Sequence, residues 1–365
     1  MFSLILHLVG TLLHGYCTWR VGTLPLIRRR LAPWQWCLFS ALVWLAYVGG
    51  VAIGDDARGP LSLALAQFAF HWLVVVFLFS LCLLTVDVLA LLGRGRLRSA
   101  AQWRTGALAF GGALVAIALV QGLRAPEVKR HELAVPGLPG ALDGTTLVAV
   151  SDLHLGGLLD ADWLAARIEQ IRLLEPDVIA LIGDLTEADP YATPELGTVL
   201  ARLRAPLGVW AVTGNHEFHG DTPATIALFE AAGIRWLRDE AVPLAPGLRL
   251  AGVDDLTRRA RRGIADDGLL GKLGAGEGAA VLLSHSPLQV EVAARAGFDV
   301  MIAGHTHGGQ VWPFGYLVRQ RYGYFLGRYE VDGMHLLVGR GTGTWGPRMR
   351  LWHPGEILHI TLRAA

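Results

Sequence analysis

The chain has 365 residues, of which 53% are hydrophobic and 17% are charged, and its formal net charge is +1. Average soluble domains carry about 25% charged residues, so this composition departs from the globular norm. A chain this apolar and this close to neutrality is not intrinsically disordered. Its three cysteines cannot form the framework of a disulfide-rich fold.

The excess hydrophobicity is concentrated in the first third of the chain. The residues up to Arg124 include ten arginines and three aspartates, which leaves 22 of the 32 basic residues and 28 of the 31 acidic residues for the remainder. The first part is therefore apolar and positively charged, whereas the second has the charge content of an ordinary soluble domain. We predict a membrane region over 1–124, a linker over 125–142 and a soluble domain over 143–365.

Four apolar stretches approach the roughly 20 residues that a helix needs to cross the hydrocarbon core of a bilayer. They are residues 2–19, 34–53, 61–92 and 106–123. The first is the weakest, because it is short and interrupted by His7 and His14, and it lacks the basic start and cleavage site of a signal peptide. Asp87 lies near the basic end of the third stretch, and we interpret it as a snorkelling position rather than a functional acid.

Arginines in the loops predict the orientation of these stretches. The first loop holds Arg20, Arg28, Arg29 and Arg30, the third holds Arg94, Arg96, Arg98 and Arg104, and the second holds Asp55, Asp56 and only Arg58. The positive-inside rule places both arginine-rich loops in the cytoplasm. With four spans, both termini and the soluble domain are then predicted to be extracytoplasmic.

Short apolar runs alternate with amphipathic segments in the second part, which predicts an α/β domain with a covered sheet. The predicted strands are residues 145–150, 178–182, 209–212, 281–283 and 300–303, with a helix over 161–174. After His307 the helical pattern fades. Residues 322–329, 334–338 and 357–362 are interpreted as closing strands.

Each of the five apolar runs is followed directly by side chains that bind metals. In chain order these are Asp152 and His154, Asp184, Asn215 beside His216 and Glu217, His285, and His305 with His307. In an extended backbone, residues two apart share a face, and the carboxyl ends of strands are where open α/β sheets bind ligands. The mixed oxygen and nitrogen set suits Mn, Fe, Zn or a similar ion.

Each motif alone is weak, but the ordered series D-x-H, G-D, G-N-H-[DE], a later H and G-H-x-H is specific. It resembles the calcineurin-like metallophosphoesterase superfamily, whose domain is a four-layer α/β/β/α fold. Residues 304–310 and 339–356 resemble its branch of membrane-associated bacterial phosphoesterases.

The resemblance implies two divalent metal ions and a hydrolytic role for the residues around them. One ion would be held by Asp152, His154 and His307, the second by Asn215, His285 and His305, and Asp184 would bridge them. His216 matches the general acid, and Glu217 matches the residue that supports it. Two such ions can share a bridging hydroxide that attacks a phosphoester or phosphoanhydride bond in line.

Two segments bear on the substrate. Arg258, Arg259, Arg261 and Arg262 form a basic cluster that could bind a second phosphate or anionic lipid headgroups, or form a solvated charge run. The aromatic segment 312–325 is typical of a bilayer-surface segment or of a core hairpin, of which we favour the hairpin. The membrane tether favours a lipid-linked phosphate, and no nucleic-acid partner is expected.

Two alternatives stay open at this point. One is a UDP-diacylglucosamine pyrophosphatase-like enzyme, which would require a cytoplasmic catalytic domain. The other is a non-catalytic metal-binding scaffold in the membrane. The scaffold is disfavoured because all seven predicted ligands and His216 are intact.

Overall fold

The computed structural model describes residues 2–54, 59–93, 100–156, 158–187, 195–264 and 268–365. Asp55, Asp56, Arg58, Arg94, Arg96 and Arg98, on which the predicted orientation partly rests, lie outside the described residues. The chain divides into two compact units. The first comprises residues 1–121 and 346–351, and the second comprises 122–345 and 352–365.

The first unit is helical, and every predicted apolar stretch falls within a helix. Its helices are α1 Phe2–Gly22, α2 Pro25–Arg30, α3 Pro33–Ile53, α4 Pro60–Leu92 and α5 Ala100–Leu123. Among the described residues, three helices (α3, α4 and α5) are long and apolar enough to cross a membrane. The predicted count of four spans therefore depends on α1 and stays a prediction.

Helix α1 lies antiparallel to α3 along its whole length. Four hydrogen bonds join the two helices: Tyr47 to Leu6, Trp44 to Thr11, Ser40 to His14 and Trp36 to Thr18. Residue numbers increase along α1 in this series while they decrease along α3, so the helices run in opposite directions. Polar side chains that bond across helices are typical of contacts formed inside a bilayer. The arrangement shows that α1 packs lengthwise against α3 despite its interrupted hydropathy.

Asp87 on α4 forms ion pairs with residues of two other helices. Its carboxylate lies 2.6 Å from the Arg20 guanidinium of α1 and 2.9 Å from that of Arg104 on α5. The Tyr16 hydroxyl donates a hydrogen bond to the same carboxylate at 2.7 Å. The snorkelling interpretation missed these contacts, because the partners are distant in sequence.

In its described residues, the second unit contains two six-stranded sheets flanked by short helices. The strands are β1 Glu127–Val135, β2 Thr146–Val150, β3 Val178–Ile182, β4 Val209–Val212, β5 Arg235–Trp236, β6 Glu240–Ala245, β7 Leu248–Gly252, β8 Ala279–Leu283, β9 Val300–Ala303, β10 Gly327–Val331, β11 Met334–Val338 and β12 Glu356–Ala364. The sheet orders are β1-β12-β2-β3-β4-β5 and β10-β11-β9-β8-β7-β6. The helices are α6 Ala161–Arg172, α7 Leu196–Leu200, α8 Thr222–Ala231, α9 Leu256–Arg261, α10 Leu269–Gly274, α11 Val290–Arg295 and α12 Phe314–Tyr322.

Strand alternation builds four layers from these elements. In β2, Leu147 and Ala149 face a core shared with the second sheet, while Val148 and Val150 face a core that includes Leu164 of α6. A third core packs the outer face of the second sheet against α9, α10 and α11. Because both faces of each sheet are covered, its central strands are apolar throughout. The predicted α/β/β/α fold is confirmed.

Three segments differ from the sequence-based expectations. The linker expected over 125–142 contains β1, which pairs in parallel with β12 over nine residues. Its surrounding prolines and glycines obscured a strand whose residues are mostly exposed. Strands β6 and β7 were not expected. The hairpin favoured for the aromatic segment is instead helix α12, followed by β10, and α12 has no buried residue.

Candidate metal centre

The five metal-binding motifs converge at the carboxyl ends of five strands. Strands β2, β3 and β4 of the first sheet supply Asp152, His154, Asp184 and Asn215, and β8 and β9 of the second supply His285, His305 and His307. Parallel strands end at the same edge of a sheet, and the two sheets face each other across the shared core. The topology therefore brings together residues that are up to 155 positions apart in the chain.

Six of the predicted ligands form two groups. Within each group, the candidate donor atoms lie within 4.8 Å of one another. One group is Asp152, His154 and His307, and the other is Asp184, His285 and His305. In the first, His307 Nε2 lies 3.3 Å from Asp152 Oδ1 and 3.1 Å from His154 Nε2. In the second, His285 Nε2 lies 3.1 Å from Asp184 Oδ2 and 3.0 Å from His305 Nδ1.

The carboxylate of Asp184 lies between the two groups. Its Oδ2 atom is 3.1 Å from His285 Nε2 and 3.9 Å from His154 Nε2. Burial opposes ionisation, but the charges of His285, His216 and His154 hold the pKa of Asp184 well below its usual value. An ionised carboxylate at this position can face a cation on either side.

The backbone at these positions is left-handed rather than extended. Asp152, His154, Asp184, His305 and His307 all have φ between 47° and 69°. The expectation that an extended backbone aligns residues two apart therefore does not hold here, although the paired side chains still converge. A positive φ is uncommon outside glycine and costs of order 1–3 kcal/mol per residue, and such strain clusters at functional sites.

Glycines allow the ligand loops to approach one another. A Cβ on Gly214 would lie 2.2 Å from Asp184 Oδ1, and one on Gly304 would lie 2.6 Å from Asp152 Oδ2. Both contacts are too short for real atoms. The glycines of the G-N-H and G-H-x-H motifs are therefore required by close packing around the carboxylates.

The donor chemistry fits bound cations. The Nδ1 atoms of His154 and His285 bond to Glu187 Oε1 and to the Ile182 carbonyl, and each Nε2 atom is directed at other site atoms. In the neutral form of these imidazoles, which a bound cation would favour, each Nε2 atom carries a lone pair. Asn215 Oδ1 is buried with no hydrogen-bond partner, whereas buried polar atoms are nearly always satisfied. A cation bound here would be a partner for the Nε2 atoms and for Asn215 Oδ1, since imidazole nitrogens and amide or carboxylate oxygens are usual metal ligands.

Glu187 is a functional candidate that the sequence did not indicate. Its carboxylate accepts from His154 Nδ1 at 2.6 Å and from His216 Nδ1 at 3.0 Å. Burial opposes protonation of His216, but this hydrogen bond and the charge of Asp184 outweigh it and raise the pKa of His216 to about 9. Glu187 lies three residues after Asp184, outside any recognised motif, so only the fold reveals it.

Glu217 forms contacts with the ligand loops that the sequence did not indicate. Its carboxylate accepts hydrogen bonds from the backbone N–H groups of Asp184, Leu185, Thr186 and Gly214, at 2.6–3.2 Å. The carboxylate that hydrogen-bonds the His216 imidazole is that of Glu187, while the charge of Glu217 also acts to raise the pKa of His216. In addition, Glu217 ties the loop after β3 to the loop after β4.

The chain is similar in sequence to a known domain family and to several known proteins. The family model for the calcineurin-like phosphoesterase domain matches residues 145–309. An uncharacterized metallophosphoesterase of Campylobacter jejuni is 30% identical over 253 residues, covering 68% of this chain and 67% of that protein. A transmembrane protein with a metallophosphoesterase domain from Danio rerio is 30% identical over 355 residues, covering 90% of this chain and 79% of that protein. The solved structure of a dimetal phosphatase from Danio rerio is 16% identical, with a TM-score of 0.41, and the match covers 60% of this chain and 99% of that one.

The chain therefore belongs to the calcineurin-like metallophosphoesterase family. It is a metal-dependent hydrolase of phosphoester bonds, with His and Asp residues positioned for metal binding. The similarity to the Danio rerio transmembrane protein extends over the helical region, in agreement with membrane association.

Proposed function

We propose that the chain hydrolyses a phosphoester or phosphoanhydride bond at a centre of two divalent metal ions, of the Mn, Fe or Zn type. The observation that carries the proposal is the position of Asp184 between two sets of histidine and aspartate donors. Asp152, His154 and His307 would hold one ion. Asn215, His285 and His305 would hold the other. When bound, such ions polarise phosphate oxygens and lower the pKa of water.

The residues around the ligands have distinct parts in the proposed reaction. His216 is the general acid that protonates the leaving oxygen, because its imidazole lies beside the ligands and its pKa is raised. Glu187 orients His216 and His154 through their Nδ1 atoms. Glu217 holds the backbone of Asp184 and Gly214, so that the ligand loops keep their spacing.

Metal content and turnover, measured together on the full-length protein in detergent, test these assignments. Asp184→Ala should lose most of the bound metal. His216→Ala should keep it while kcat falls by about 10²–10⁴-fold, most strongly for alkyl phosphates, whose leaving groups are poor. His131→Ala, a histidine on β1, is the control. Normal hydrolysis of an alkyl phosphate by metal-loaded His216→Ala would refute the role of His216.

We further propose that the substrate is lipid-linked and that the catalytic domain is extracytoplasmic. Arg20 follows the first apolar stretch and Arg104 precedes the fourth, and both bind Asp87. Two residues that share one carboxylate lie on the same side of a membrane, which supports the same-side placement of the two arginine-rich loops. That placement favours four spans, a cytoplasmic position for both loops and a carboxyl-terminal domain outside.

A further inference from the structure

The arginine cluster of residues 258–262 has no part in the reaction proposed above, and its members have different surroundings. Arg259 forms an ion pair with Asp239 at 2.8 Å. The Arg258 guanidinium instead lies over the ring of Phe218, 3.6 Å from its centroid. Phe218 ends the short turn His216–Phe218, which carries the proposed acid. The cluster is therefore not a uniform solvated face.

Helix α9, which carries these arginines, is fixed at its start to the metal centre. The buried carboxylate of Asp255 accepts hydrogen bonds from the Arg258 N–H and from the Ser286 hydroxyl. The hydroxyls of Thr257 and Ser286 are 2.6 Å apart. Because Ser286 directly follows His285, the helix has a defined position relative to a proposed metal ligand.

Arg261 lies on the same helix as Arg258, one turn further along, and its side chain is exposed. Residues three apart on a helix start from the same face, so Arg258 and Arg261 extend from one side of α9. The helix begins beside His285 through the contact of Thr257 with Ser286, and Arg258 contacts the turn that carries His216. The face of α9 that carries both arginines therefore borders the centre.

We propose that Arg258 and Arg261 bind a second phosphate group of the substrate, next to the phosphate that is hydrolysed. The inference rests on the proposed function and narrows it to substrates with two phosphates, such as diphosphates. A guanidinium presents a planar fork of donors that matches phosphate oxygens, and Arg261 is exposed and available to a ligand. A simple monoester would leave both arginines unused.

The test compares matched substrates on the full-length protein in detergent micelles supplied with Mn²⁺. The soluble pair is phenyl phosphate and inorganic diphosphate, and the lipid pair is phosphatidic acid and diacylglycerol diphosphate. Arg258→Ala and Arg261→Ala should each raise KM for the diphosphate by at least about tenfold more than for its monophosphate partner, as expected for a lost charge-assisted hydrogen bond. Arg261→Lys should recover part of the loss.

Arg259→Ala is the control, because it removes the same charge from the same helix at a residue paired with Asp239. Equal KM changes for monophosphates and diphosphates, or an equally large change in the control, would overturn the proposal. A selective effect in both substrate pairs supports recognition of phosphate itself, and one confined to the lipid pair supports a lipid diphosphate. If the wild-type protein hydrolyses none of the four with Mn²⁺, Fe²⁺ or Zn²⁺, the proposed function itself fails.

Discussion

Replacing Glu187 tests whether a residue outside the recognised motifs organises the centre. Its carboxylate holds His154 and His216 through hydrogen bonds of 2.6 and 3.0 Å. A hydrogen bond to a charged group contributes about 1.5–3 kcal/mol, and loss of a group that orients a metal-binding histidine lowers metal affinity or activity by about 10–100-fold. In Glu187→Gln, the side-chain amide can accept from one imidazole only. We expect kcat/KM to fall by about 10–100-fold, which corresponds to roughly 1.4–2.8 kcal/mol.

The assay combines steady-state kinetics on an alkyl phosphate with a metal titration of the chelator-treated protein in detergent. Glu187→Gln should need more metal for half-maximal activity and should stay slower at saturating metal, since both His154 and His216 lose orientation. Glu169→Gln, an exposed glutamate of α6 paired with Arg172, is the matched control. Wild-type metal affinity together with wild-type kcat/KM in Glu187→Gln would refute the reasoning.

Three further predictions concern packing, stability and topology. Gly214→Ala should displace the Asp184 carboxylate, which a Cβ would approach to 2.2 Å, and should lower metal content measured by elemental analysis. Gly271→Ala in α10, where a Cβ meets open space, should retain the metal. In the wild-type protein, the buried Arg340 is paired with Glu356 at 2.6 Å and with Glu127 at 3.4 Å. Glu356→Ala removes the shorter pair and should lower the free energy of unfolding by about 1.5–3 kcal/mol. Loss of the exposed pair between Glu132 and Arg363 should cost about 0–1 kcal/mol, and equal thermal destabilisation by Glu132→Ala would contradict this ranking. A protease-sensitive tag after Ala365 should be cleaved in intact spheroplasts, and protection of the tag until lysis would contradict the extracytoplasmic placement.

Sequence reasoning predicted the layers and the residues that meet at the centre because both follow from short-range patterns. Fully buried strands such as Val178–Ile182 are continuous apolar runs, and the residue after each run lies at the carboxyl edge of its sheet. Convergence then follows from the parallel connectivity. The same patterns do not predict the left-handed backbone of His154 and His307, because the spacing of apolar residues carries no information on φ at the residues that follow a strand.

The partners of individual polar groups could not be predicted, since they depend on contacts between distant segments. Glu187 and Glu217 are both acidic residues close to a motif, yet one bonds two histidines and the other four backbone amides. Asp87 similarly meets Arg20 and Arg104 from two other helices. Strand β1 was missed for a related reason, because its pairing partner β12 is the last strand in chain order.

The position of β12 has a consequence for how the protein is made. This strand lies between β1, with which it is parallel, and β2, with which it is antiparallel, so it fills a gap inside the first sheet. A ribosome delivers β1 and β2 early and β12 after the eleven other strands described above. Until then the nascent domain carries two unpaired strand edges, which are templates for misassembly. Completion of the first sheet therefore waits for the synthesis of Glu356–Ala364, and chains truncated before Glu356 should be substrates for quality-control proteases.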